Sequence, residues 1–337
     1  MKSFITNNKT FFLIGFLLII GLGFLLSQIG LTIESKELMQ NGKYNLTATS
    51  NLGYGNKKDQ VGVIFAPESS AIGPTSFAVD SEEQLYICDG VNNRIQVKSI
   101  KREQLKQIPL DTGSLKNKDI FPFDIAVIGS DLVIVYDEVG KLYQLDSEGN
   151  LKKSIKVDTN QWSVKMEMHK VGNNIYMQCV DQIDHLIGVI ENNRLRIPTN
   201  DEKEHHKKPG IHGESGRRYL AGLDRWEKGW IEVFEPDDEP GFTIELPVPG
   251  IVSVKFLGED ENENIYIQVE WTEEVGVNLE VHIFNSQGES IDVLKIPDNH
   301  YHYWTVKLLS VDEKGNIHQL LPLEDRVELN TFQSSSN

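Results

Sequence analysis

An all-β fold, a six-bladed β-propeller closed by an N-terminal strand and preceded by one transmembrane helix, is what the sequence predicts. Three observations carry that reading. A turn-and-strand motif recurs along the chain, a proline-marked edge tag recurs with the same spacing, and one apolar run stands near the N-terminus. The chain has 337 residues, enough for one large ring of small repeats.

The apolar run comes first. Phe11 to Leu26 contains no polar side chain, and only Ser27, Gln28 and Thr32 interrupt its continuation to Ile33. As a helix, residues 11–33 would span roughly 34 Å, enough to cross a bilayer. The alternative is a cleaved signal peptide, but small residues suited to cleavage are missing around Leu25 to Ile29. No Cys follows the run, so a lipoprotein anchor is excluded. Lys2 and Lys9 precede it and no acid occurs before Glu34, which keeps residues 1–10 cytoplasmic and sends the rest outside. The outer part then carries 31 basic against 50 acidic residues. Such a surface is repelled by anionic lipid and by nucleic acid, and nucleic-acid binding is excluded. Residues 34–60 are polar and Asn-rich and read as a stalk, 61–330 as the propeller, and 331–337 as a disordered tail.

The repeat follows. Asp80-Ser81-Glu82-Glu83-Gln84-Leu85-Tyr86-Ile87 returns as Asp260 to Ile267 and again as Asp312 to His318, with looser copies at Gly129 and Gly172. Strand starts at 85, 132, 175, 265 and 317 leave one double gap, with Tyr219-Leu220 at its midpoint, so six units are implied. The edge tags Ile108-Pro109, Ile155 to Asp158, Ile197-Pro198, Leu246-Pro247 and Ile296-Pro297 keep the same step. Proline lacks an N–H and belongs at sheet edges, so each tag closes an outermost strand. Five tags serve six units. The last unit lacks its own outer strand, and Val61 to Ala66 is the spare one expected to close the ring.

In the first unit, Gly73-Pro74-Thr75, Phe77 to Asp80, Leu85 to Asp89 and Asn92-Asn93-Arg94-Ile95-Gln96-Val97 together resemble an NHL repeat. The resemblance covers about 25 residues, and the other units keep only the strand-turn-strand skeleton. It implies a six-bladed, TolB-like propeller, a fold used mostly for binding and in a few cases for catalysis. Within it Asp80, Asp89, Asn93 and Arg94 are expected in structural roles, Asp89 and Arg94 as a partly buried ion pair beside a turn.

Chemistry is sparser. His205, His206 and His212 fall in a charged inter-strand loop and are expected to be solvated. His300, His302 and Trp304 alternate at the start of the last unit and are the expected ligand-binding residues at the channel mouth. Propeller lactonases of the gluconolactonase type carry a Glu just before the first Gly-Pro, where this chain has Ala71-Ile72. The acidic turn at Asp260 lacks the Gly and Glu of a calcium loop. No nucleophile-elbow, zinc-protease, phosphate-loop or Cys-x-x-Cys motif occurs. Cys88 and Cys179 are expected as buried free thiols. No cofactor, no metal and no catalytic residue is expected. The function so predicted is a membrane-tethered platform binding a protein or cell-envelope component. The alternatives are a propeller hydrolase or lyase with a metal in its channel, and a structural subunit of a membrane complex.

Overall fold

The computed structural model describes residues 43–335 except 66–70, 102–104, 111–114, 117–119, 130–131, 138, 159–164, 181, 207, 225–227, 274–275 and 298–302. The expected cytoplasmic segment and membrane helix, with His300 and His302, lie outside the described residues. Among the described residues, no helix is long and apolar enough to cross a membrane.

The strands described form six sheets, antiparallel except where β2 joins β1, each a blade. The chain begins with β1 (Tyr44–Tyr54) and β2 (Gln60–Val61). Blade one is β3 (Phe77–Val79), β4 (Gln84–Asp89), β5 (Arg94–Ser99) and β6 (Leu105–Pro109). Blade two is β7 (Pro122–Ile128), β8 (Leu132–Asp137), β9 (Lys141–Asp146) and β10 (Leu151–Lys156). Blade three holds β11 (Lys165–Val171), β12 (Asn174–Cys179), β13 (Asp184–Glu191) and β14 (Arg194–Arg196). Blade four holds β15 (Ile211–His212), β16 (Arg218–Leu223), β17 (Gly229–Phe234) and β18 (Pro240–Glu245). Blade five is β19 (Ile251–Glu259), β20 (Ile265–Thr272), β21 (Val277–Phe284) and β22 (Ser290–Ile296). Blade six has only β23 (Leu309–Val311), β24 (Ile317–Pro322) and β25 (Arg326–Ser334) of its own, and β1 completes it. The recurring motif lands on the second strand of every blade, and the proline tags end or follow the fourth.

Ring closure differs in its residues from the sequence reading. The closing strand is β1, inside the stretch read as a stalk, and it pairs with β25 from Tyr44↔Ser334 to Gly53↔Arg326. Val61 to Phe65 does not close the ring: β2 takes Gln60 and Val61 onto β1 in parallel, and Ile64 pairs back on Ile72. The expected tail is also shorter. β25 runs to Ser334 because Phe332 is fully buried between blades.

The recurrence of the motif has a physical cause in its first residue. Asp80 Oδ1 accepts from the N–H groups of Glu82 and Gln84 at 2.9 and 2.8 Å. Asp260 does the same with Asn262 and Asn264, and Asp312 with Lys314 and Asn316, all at 2.9 Å. Each second carboxylate oxygen meets a ring on the following strand: Tyr86 OH, Tyr266 OH or His318 Nε2. The aspartate thus shapes the turn and ties it to the core. The fourth turn residue must be left-handed, and Glu83, Glu263 and Gly315 have φ of 61°, 58° and 79°.

Apolar burial lies between blades rather than within one centre. One cluster wedges blades one and two around Tyr86, Ile95 and Val135, another blades two and three around Ile134, Met168 and Met177. Further clusters fill the seams between blades four and five, five and six, and six and one. The seam between blades three and four has only a small cluster of Tyr176, Leu186 and Val189, all from blade three.

Asp89 and Arg94 hold the chain as it crosses from β1 to blade one. Arg94 Nε donates to Asp89 at 2.8 Å, and its other nitrogens reach the carbonyls of Asn56, Lys57 and Gln60. Asp89 accepts from Gly62 N–H at 2.8 Å and Asn92 Nδ2 at 2.9 Å. Asn93 takes the left-handed turn position, φ 52°, just before β5. One short helix, α1 (Asn200–His205), appears where the sequence reading has only a loop. A capping box explains it: Glu202 N–H donates to Thr199 Oγ1, and Thr199 N–H donates back to Glu202.

Two outcomes are expected from this architecture. A chain starting at residue 43 should unfold cooperatively, whereas one starting at residue 55, without β1, should aggregate through the bare edge of β25. Equal melting temperatures would refute closure by β1. Arg94→Ala leaves the Asp89 carboxylate buried without its cation, and thermal melts should show a loss of about 3–5 kcal/mol, roughly 6–20 °C in Tm.

Candidate functional site: a blind funnel on the ring axis

The inner strands β3, β7, β11, β15, β19 and β23 all run in one direction around the axis. The ring therefore has two unlike faces. On the turn face lie the tight turns that leave the inner strands, headed by Asp80, Asp260 and Asp312. On the loop face lie the longer connections by which each blade passes to the next.

A cavity of about 440 Å³ occupies the axis, with walls from all six blades. Its lining runs along the inner strands to the turns at Asp80, Gly129, Glu214, Glu259 and Asp312, so it opens on the turn face. Toward the loop face, charge pairs cross the channel. Lys307, just before β23 of blade six, donates to Asp124 of blade two at 3.3 Å and to the carbonyl of Met168 in blade three at 2.9 Å. Asp124 is fully buried and also accepts from Ser76 Oγ and from Ile125 N–H. Burial alone would lower the Lys307 pKa, but the Asp124 and then Glu167 carboxylates hold it above the ordinary lysine value. Lys255 of blade five crosses similarly to Glu167 of blade three. These pairs stop the channel, leaving a funnel.

One wall carries a cluster at the thin seam between blades three and four. Asp184, at the start of β13, is fully buried. Its Oδ2 accepts from His212 N–H at 3.0 Å and lies 3.0 Å from both His212 Nδ1 and His169 Nε2. Its Oδ1 is buried without a hydrogen-bond partner. The Tyr176 ring lies between the two imidazoles, stacked on His169 at 5.5 Å and on His212 at 4.9 Å. His206, capping α1, points Nδ1 at His212 Nε2 from 3.2 Å. Burial would raise the Asp184 pKa, but the adjacent His169 and then His212 override it and hold it down at about 2. His169 and His212 both border the funnel, so the wall presents imidazoles positioned by a buried carboxylate.

The sequence reading placed the pocket elsewhere. Trp304 stands on the loop face, 62 % exposed, with its ring 6.3 Å from Phe123, and it does not line the funnel. Its neighbour Tyr303 is buried against Gly73 and Tyr54 in the seam between blades six and one. Lys307 and Asp124 separate that mouth from the cavity. His206 and His212, read as solvated, are instead packed in the cluster. His169 and Asp184, together with the crossing residues Glu167, Lys255 and Lys307, were not singled out. No spacing announces them, because their partners come from different blades. Asp80, Asp89, Asn93 and Arg94 sit in turns and the chain crossing of blade one, away from the cluster. Cys88 and Cys179 are buried free thiols.

The Asp184 carboxylate binds its proton more weakly in the fold than its unfolded value near 3.8. Its contribution, on the order of 2 kcal/mol, is therefore complete above about pH 4 and is lost as pH falls toward 2. Urea titrations should show Asp184→Asn less stable than the unaltered protein at pH 6, with the gap narrowing below pH 4 and largely gone at pH 2. A gap that stays constant would remove this assignment.

No protein-family model matches the chain, and no curated protein matches it either. Solved structures with a similar chain path include a member of the DUF4221 family from Bacteroides vulgatus, at 13 % identity and a TM-score of 0.46, covering 86 % of this chain and 98 % of that one. Another is virginiamycin B lyase from Staphylococcus aureus, at 11 % identity and 0.42, covering 86 % and 99 %. A third is BamB from Moraxella catarrhalis, at 11 % identity and 0.38, covering 86 % and 99 %. Likenesses this distant reach the path of the chain and stop short of its chemistry.

Proposed function

We propose that this protein is a membrane-tethered, extracytoplasmic propeller with an NHL-like first blade, acting as a non-catalytic platform for a protein or cell-envelope ligand. One observation carries the binding role: the funnel, walled by every blade, holds many of its charged side chains in internal pairs. Lys307 is held by Asp124, Lys255 by Glu167, Lys170 by Glu214 and Asp312 by His318. Groups fixed in this way shape a polar surface suited to recognition, with the paired carboxylates and ammonium groups already committed to one another. The tether rests on the apolar run 11–33 with Lys2 and Lys9 before it.

A second reading keeps the propeller hydrolase or lyase with a channel metal. His169 and His212 favour it, since both border the funnel and a carboxylate positions both rings.

Two measurements separate these readings. Protease added to intact cells should digest the propeller, and alkaline carbonate should leave the uncut protein in the membrane pellet. A protected or extractable protein would defeat the tether. In thermal melts with Ca²⁺, Mg²⁺, Mn²⁺ or Zn²⁺, the platform reading expects no shift. A resident-type metal at a hundred times its Kd adds about 2.7 kcal/mol, roughly 5–10 °C, and a rise of that size with one ion would favour the enzyme.

A further inference from the structure

The internal pairs of the funnel leave a remainder of one sign. The lysines of its lining are Lys307, Lys255, Lys170 and Lys314, and each has a carboxylate against it: Asp124, Glu167, Glu214 and Glu83 in turn. The lining carboxylates outnumber them. Asp80 is held by N–H groups of its own turn and by Tyr86, and Glu259 by Ser215 and Tyr219, all neutral donors. Glu313 stands exposed at the mouth. Among the described residues, no lysine or arginine is paired with Asp80, Glu259 or Glu313. These three belong to blades one, five and six, which are consecutive around the ring.

Opposite this arc, in blade three, stands an uncommitted amide. Gln178 lines the cavity although it is only 7 % exposed, and its carboxamide has no hydrogen-bond partner among the described residues. Its setting follows from register. Gln178 pairs with Glu167 on one side and Asp184 on the other, so the three side chains share one face of blade three. Buried polar groups are as a rule hydrogen-bonded, and one that borders a cavity is completed by what fills the cavity.

We infer that the funnel binds an organic ammonium ion carried on an apolar stem, received by the carboxylate arc and by the Gln178 carboxamide. The inference deepens the platform reading and rests on it. An anion finds no lysine left over, and a net charge of −17 draws cations to the mouth. The carboxylates stand on separate blades, an arrangement for an extended ion rather than a point charge. Val127, Ile211 and Leu309 in the same wall suit methylene groups. At Asp80 and Glu259 both oxygens already accept a bond, so no open oxygen pair awaits a guanidinium fork. An ammonium, with three diverging donors, uses the lone pairs that remain. That chemistry is common to a free polyamine and to a lysine side chain presented by a partner protein.

The test is calorimetric titration of the full-length protein in detergent at pH 7 and low salt. The probes are spermidine, and lysine, arginine and glutamate each capped as the acetyl methylamide. Spermidine, capped lysine or both should bind at one site per chain, at least tenfold more tightly than capped glutamate and more tightly than capped arginine. A response to spermidine alone assigns a free polyamine, and a response to capped lysine assigns a partner's side chain. Gln178→Leu and Glu313→Lys, each checked to keep its Tm, should weaken that binding at least fivefold. Glu313→Lys, on an exposed turn, decides the matter if Gln178→Leu does not fold. No binding of either ammonium probe, several equivalent sites per chain, arginine or glutamate bound as tightly, or binding indifferent to the variants would each overturn the inference. The metal-ion melts and carbonate extraction report separately on the platform and its tether, so failure there is distinguishable from failure of the ammonium site.

Discussion

Pairing of β1 with β25 is the interaction on which the rest of the structure depends. Five blades are continuous in sequence, and the sixth is completed only when Tyr44–Tyr54 is laid along Arg326–Ser334. Without it, the last blade ends in an open edge and the apolar wedges between blades five, six and one lose a side. The strand is fixed at both ends. Tyr44 is pinned to Tyr266 and Gly315 on the turn face, and Tyr54 donates to the carbonyls of Leu323 and Arg326 on the loop face. Beyond it, Arg94, Asp89 and Gln96 hold the chain's carbonyls and an amide as it turns into blade one. Because these contacts join opposite ends of the sequence, they close a loop of nearly the whole chain, the entropically most demanding contact in the fold.

That dependence explains the uneven survival of the repeat. The Asn-x-Arg-Ile element is clear only in blade one, and blade one is where an incoming segment has to be gripped. An arginine that satisfies three backbone carbonyls at a crossing has no counterpart to serve where one blade simply follows the next. The Asp-headed turn has a purely local function, and it recurs as Asp80, Asp260 and Asp312 because its partners travel with it in sequence.

The same distinction between local and distant partners decides what could be read from the sequence. The six-unit count, the second-strand positions and the outer-strand tags were legible because turn aspartates, alternating apolar residues and edge prolines act over a few residues. The closing strand was misplaced for a physical reason. β1 is an outermost strand whose side chains are mostly exposed, so Asn45, Thr47, Thr49 and Asn51 carry no apolar alternation. Its stability comes from backbone pairing, from its two end tyrosines and from Leu52, buried in the seam between blades six and one. Val61 to Phe65 looked like the better strand because it is apolar, but Val61 is the fully buried member and Phe65 is exposed. The helix α1 was passed over as loop, although its capping box from Thr199 to Glu202 is a local signal. The cluster of His169, Asp184, His206 and His212 was not legible, since it forms only when blades three and four meet.

The polar seam and the blocked channel have a joint consequence. At the other seams, displacing one blade costs buried apolar area, a penalty that changes little with conditions. Between blades three and four the contacts are mostly polar: the bridges of Ile183 to Pro209 and Gly210, the reach of Glu214 to Gly172 and Lys170, and a carboxylate with one oxygen unpartnered that holds two imidazoles. Electrostatic contacts of this kind respond to charge and to ligands far more than apolar ones do. This responsive seam opens onto the funnel, while the crossing Lys307–Asp124 and Lys255–Glu167 pairs separate the funnel from the loop face. Both crossing pairs also anchor in blade three or beside it, through Met168 and Glu167. A shift of blade three would therefore strain the channel pairs and the histidine cluster together. Apolar wedges join the ring at its other seams, and the seam between blades three and four is the one where histidine and aspartate take their place.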